Sequence, residues 1–130
     1  MLLPILVFLV MDALYISIIK NRYIKMVKQI QCGKSIKYNL YAVFICYFFL
    51  IIGLLYYVIP YAQYLKQTYT NKLYIALISG GLFGIVVYGV LCTFNMSMFQ
   101  DFYLDIAIMD TIWGGLLYTV AVLVYLSISK

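Results

Sequence analysis

Four apolar runs, each about long enough to cross a bilayer, leave this chain very few ways to fold. Met1 to Ile19 is apolar except for Asp12 and Ser17, and further runs extend over residues 39–59, 73–94 and 106–128. A hydrocarbon core about 30 Å thick takes roughly 20 apolar residues at a helical rise of about 1.5 Å per residue. Lipid offers no partners to backbone N–H and C=O groups, so such runs satisfy themselves as helices. The sequence therefore predicts an all-α integral membrane four-helix bundle, a single transmembrane domain over residues 1–130, with a basic interfacial segment at 20–37.

Composition agrees. The chain is 67% hydrophobic and 10% charged, too little polar surface to cover a soluble domain of 130 residues. Nine Lys and Arg stand against four Asp, giving a net charge of +5 with no His. Six of those nine, Lys20, Arg22, Lys25, Lys28, Lys34 and Lys37, fall between two apolar runs, a placement that suits a membrane surface and not a nucleic acid. Cys32, Cys46 and Cys92 have no metal-ligand spacing, so free thiols, no metal and no cofactor are expected. Without His or Glu, Ser-His-Asp and Cys-His catalysis and His-based metal centres are excluded.

The third run carries a packing signature. Ala76, Gly80, Gly84, Tyr88 and Cys92 recur at a helical step of four, and Asn95 follows three residues later. Small residues so spaced let two helices in lipid approach until their backbones touch. This marks the third helix as the central packing helix, with Gly114 of the fourth run sharing the face of Asp110. Gly80-Gly81-Leu82-Phe83-Gly84 is not a phosphate-binding loop, since no Lys-Ser/Thr follows it.

Met1 to Ile19 lacks a basic stretch before it and a small-residue cleavage site after it, so it reads as a retained first span and not a signal peptide. Beyond it, Ile19, Tyr23, Met26, Val27 and Ile30 alternate with the charges at helical spacing, which extends the helix into the interface with one face in the headgroups and a stop near Gly33. The six positive charges can bind anionic lipid or serve only to orient the chain, and the second role is the commoner one. The second run ends at Pro60, where Tyr56, Tyr57, Tyr61 and Tyr64 resemble an interfacial aromatic belt. Counting Lys and Arg, the first and third loops hold six and none; the second loop and the termini hold two and one, the one being Lys130. The basic first loop is then cytoplasmic and both termini lie outside.

Asp12 and Asp110 fall inside the spans. An aspartate near a helix centre costs roughly 2.5 to 3.5 kcal/mol on insertion scales, so it finds a polar partner or a wet cavity. Asp12, Thr93, Asn95, Asp110 and Trp113 all map to the cytoplasmic half, which predicts a polar intramembrane cluster. Trp113, three residues beyond Asp110, can donate its indole N–H to a carboxylate. Such a cluster either binds a cation, a proton or a lipid headgroup, or ties helices together through bonds to Asn95, Thr93, Tyr15 or Trp113.

The chain resembles domain-of-unknown-function family 2177, small predicted membrane proteins. Met11-Asp12-Ala13-Leu14-Tyr15 is similar to that family's first-helix signature, and Pro60 to the Pro after its second helix. Gly81 to Gly89 with Asn95 is similar to its third-helix motif, and Asp110-Thr111-Ile112-Trp113-Gly114 to its Asp-x-x-Trp-Gly. The resemblance implies a four-helix membrane protein and brings no activity with it. Cys92 stands where the family typically has a third acid, so a property needing three intramembrane acids is lost or altered in this chain.

Three functions remain open on these residues. The leading one is a non-enzymatic protein, with no catalytic residues, that packs with itself, another membrane protein or lipid. The alternative is an oligomeric proton or cation transporter using the aspartates, because four helices alone leave little room for a pore. The weakest is a lipid-modifying enzyme built on an aspartate pair.

Overall fold

The computed structural model describes residues 1–34 and 36–129, so Lys130, counted above, lies outside them. They form four long helices, with no strand among the described residues: α1 (Leu2–Ile30), α2 (Leu40–Lys66), α3 (Lys72–Met98) and α4 (Leu104–Ile128). Each is long and apolar enough to cross a bilayer. The chain is an all-α membrane helical bundle.

α1 runs 29 residues, about 43 Å at the helical rise, well beyond a hydrocarbon core. It ends where Cys32 and Gly33 both take positive φ, at 56° and 84°; the second of these suits glycine, which carries no Cβ to clash. The segment past Ile19 does not simply lie in the headgroups: Met26 is fully buried and packs toward the start of α4.

Asn39 and Asn71 cap α2 and α3, each accepting backbone N–H bonds on its side-chain oxygen. α2 does not stop at Pro60. Its ladder widens into a π-helical turn over Leu54–Val58, and the proline falls just after it, where its missing N–H is absorbed and the helix carries on to Lys66. A second π-helical turn lies in α3 at Leu77–Gly81.

The most enclosed helix is α4, not the glycine-bearing α3. Leu117, Tyr118, Ala121 and Val122 are all fully buried, and around them gather Phe8 of α1, Leu54, Val58 and Ala62 of α2, and Ile75 and Ala76 of α3. α3 serves α4 by meeting it backbone to backbone. A Cβ at Gly80 would come within 2.6 Å of the Tyr118 carbonyl, and one at Gly84 would overlap the carbonyl of Gly114. Gly114 in turn leaves the space filled by the Tyr88 ring. These contacts pair rising numbers in α3 with falling numbers in α4, so the two helices are antiparallel. In such a chain hydrophobic transfer does not drive the helices together, and this close packing takes its place.

Candidate functional site

α1 and α4 each carry an aspartate followed three residues later by a large aromatic: Asp12 and Tyr15, Asp110 and Trp113. A spacing of three puts acid and ring on one helical face. Because the helices run antiparallel, the two faces meet head to tail, and each ring reaches the other helix's acid. Trp113 Nε1 donates to Asp12 Oδ1 at 3.3 Å, and the Tyr15 hydroxyl donates to Asp110 Oδ1. Between these bonds the rings stack with centroids 4.7 Å apart and planes 8° from parallel.

α2 adds a third donor. The Tyr47 hydroxyl donates to Asp12 Oδ2, so both oxygens of Asp12, 6% exposed, accept from aromatic donors on two other helices. Asp110 is half-buried and holds the hydroxyl of Tyr15. The carboxylates are thus bound through different donors, and no hydrogen bond joins them directly among the described residues.

Of the five residues expected in the cluster, Asp12, Asp110 and Trp113 come together. Thr93 does not join them: it is exposed, and its hydroxyl donates to the carbonyls of Gly89 (2.7 Å) and Val90 (3.2 Å) in its own helix. A short β-hydroxyl on a helix finds the carbonyl of the preceding turn nearer than any other helix. Asn95 is half-buried, and no side-chain bond links it to either acid among the described residues. Tyr47 was missed because it sits among Tyr41, Phe44, Phe48 and Phe49, where nothing in the sequence separates the ring that turns inward from those that face out. Its one distinguishing mark is a hydroxyl at membrane depth.

At the basic end, Arg22 pairs with Asp105 and lies 5.5 Å over the Tyr103 ring, while the Tyr103 hydroxyl donates to Gln29. Arg22 is therefore engaged within the protein. Lys20, Lys25, Lys28, Lys34 and Lys37 are exposed, and none forms an ion pair among the described residues.

Chemically, the central cluster is a set of charge-capable acceptors matched to aromatic donors, an arrangement that locks α1, α2 and α4 at one level. No three His, Cys, Asp or Glu side chains converge among the described residues. Cys92 is buried, while Cys46 is exposed on α2 and Cys32 in the turn after α1.

No curated protein and no solved structure matches the chain. A family model does, over residues 1–126, and by that match the chain belongs to DUF2177, a family of predicted membrane proteins.

Proposed function

We propose that this multi-pass membrane protein is non-enzymatic and acts by packing, with itself, another membrane protein or lipid, and that its intramembrane aspartates are internal ties. The observation that carries this reading is the saturation of Asp12: Trp113 and Tyr47 occupy both of its oxygens from two different helices. A carboxylate so held has its cost of insertion offset by the protein itself. An aspartate pair acting on lipid requires two carboxylates that share a proton. Here the stacked Tyr15 and Trp113 carry the two acids separately.

Outside the cluster, Lys20, Lys25, Lys28, Lys34 and Lys37 form an exposed basic rim on and after the last turns of α1. Each Lys near an anionic bilayer surface contributes about 1 kcal/mol of attraction, so we assign this rim to anionic headgroups on the cytoplasmic side, with both termini outside.

Native mass spectrometry of the gently extracted protein, wild type beside Asp12→Asn and Asp110→Asn, tests the proposal. Identical mass and no co-purifying species lost in either variant is the expected result. An oligomer, bound lipid or ion that disappears with either carboxylate would show that the acids build a ligand site, and would move the assignment to transport.

A further inference from the structure

The two halves of α2 are held very differently. From Leu54 to Leu65 the helix sends Leu54, Val58, Ile59, Ala62 and Leu65 into the shared core. From Leu40 to Cys46 every residue is exposed, so two full turns present no face to the rest of the protein. Between them Tyr47, Leu50, Ile51 and Ile52 are half-buried, and full burial begins at Gly53 and the π-helical turn that follows it. Gly53 lies under the Phe83 ring, where a Cβ would come within 2.7 Å, so this is the point at which α2 meets α3 closely.

Two bonds reach back from the outer half. Tyr47 donates to Asp12, and the Leu50 carbonyl accepts from the Tyr118 hydroxyl at 2.8 Å. The second is adjacent to the packed region and moves little if the helix bends there. The first lies three residues farther out and, among the described residues, is the only side-chain bond between this half of α2 and α1. π-helical turns break the regular ladder, are common points of bending, and let one part of a helix swing relative to the next.

We propose that Leu40–Gly53 is a movable half-helix, hinged at the π-helical turn Leu54–Val58 and latched by Tyr47 on Asp12. Swinging outward, it uncovers one oxygen of Asp12 toward the bilayer while Trp113 retains the other. The half-helix is a lateral gate over the central cluster. This goes beyond the packing role, and its test reads motion within one subunit and not ligand or subunit number.

Distances between paired spin labels in lipid bilayer discs provide that test. In a background with Cys32→Ser, Cys46→Ser and Cys92→Ala, one pair joins Ile18→Cys to Phe44→Cys, across the gate. The other joins Ile18→Cys to Tyr64→Cys, on the packed side of the hinge; all three labelled positions are exposed. Adding Tyr47→Phe should broaden the Ile18–Phe44 distribution and shift it to longer distance, leaving Ile18–Tyr64 unchanged. An Ile18–Phe44 distribution unaltered by the loss of the hydroxyl would refute the latch. Movement of both pairs together would refute the hinge, and Asp12→Asn, which keeps the side chain's shape, repeats the comparison if Tyr47→Phe disturbs assembly.

Discussion

Tyr15 and Trp113 lie face to face, 4.7 Å between ring centroids, and each donates to the aspartate on the other's helix. The exchange is reciprocal: two bonds and one stacked contact share four side chains, all set by a spacing of three on two antiparallel helices. Such a unit is stronger against twisting of α1 on α4 than a single bond, because any rotation that lengthens one bond also slides the rings.

Reciprocity predicts coupling. Trp113→Phe keeps a ring but removes the donor to Asp12, and Tyr15→Phe does the same to Asp110. Each single substitution should cost about 1 kcal/mol, the usual net worth of an interhelical hydrogen bond in a bilayer or a soluble core. The double variant should cost less than the sum, by about 0.5 kcal/mol or more, since contacting residues in one network do not add. Reversible unfolding in mixed detergent micelles measures all three, and strict additivity would mean that the two bonds act independently.

Close approach of α3 and α4 makes a sharper distinction between glycines. A methyl at Gly84 would meet the Gly114 carbonyl, which is backbone and cannot turn aside, so Gly84→Ala should destabilise by about 1–3 kcal/mol. At Gly89 the same methyl stands 3.5 Å from Thr111 Cγ2, an ordinary contact. Gly89→Ala should be neutral or gain up to about 1 kcal/mol from helix propensity. The pair of substitutions, compared by the same unfolding assay, separates a packing glycine from a tolerated one.

Length and hydropathy made the four helices legible, because lipid leaves an apolar run of 20 residues little choice of conformation. Their ends were less so. Pro60 reads as a stop when only its missing N–H is considered; the widened turn at Leu54–Val58 that accommodates it depends on packing against α3 and α4, which no local pattern encodes. Asp12, Asp110 and Trp113 stand out as polar groups in apolar surroundings, and helical depth places them at one level. Thr93 and Asn95 have the same depth, but depth does not give azimuth, and Thr93 turns to its own backbone. Tyr47 was illegible for the opposite reason: its ring looks like its neighbours, and only the fold singles out its hydroxyl. The centrality of α4 was hidden because glycines mark where helices touch and not which helix is surrounded.

Two contacts at the start of α4 differ in expected weight. The Arg22–Asp105 pair is exposed, with side chains 56% and 49% accessible, and Asp105→Asn should cost less than about 1 kcal/mol and lose its effect in high salt. Met26 is fully buried a turn further along the same helix. Met26→Ala should cost about 2–5 kcal/mol, independent of salt, because it removes packed volume and not a screened charge. If the salt-sensitive substitution proved the more damaging, the interfacial end of α1 would be held by charge and not by packing.

The three cysteines supply a test of orientation that needs no added residue. Cys32 is exposed in the turn after α1, among the positive charges; Cys46 is exposed on α2 two turns inside its start; Cys92 is buried between helices. A membrane-impermeant maleimide should therefore reach Cys32 alone. Six positive charges flank that turn, against two in the loop between α2 and α3, and short basic loops are retained on the cytoplasmic side. Intact cells should leave Cys32 unlabelled, and vesicles of inverted orientation should label it fully. Replacing Lys20, Lys25, Lys28 and Lys34 by Gln removes four of the six charges, leaves Arg22 with Asp105, and reduces the basic loop to the same two charges as its opposite. A mixed population, with Cys32 labelled in part from each side, is then expected. Complete cytoplasmic labelling in that variant would mean that orientation is set elsewhere, by the apolar spans or by the order in which they insert.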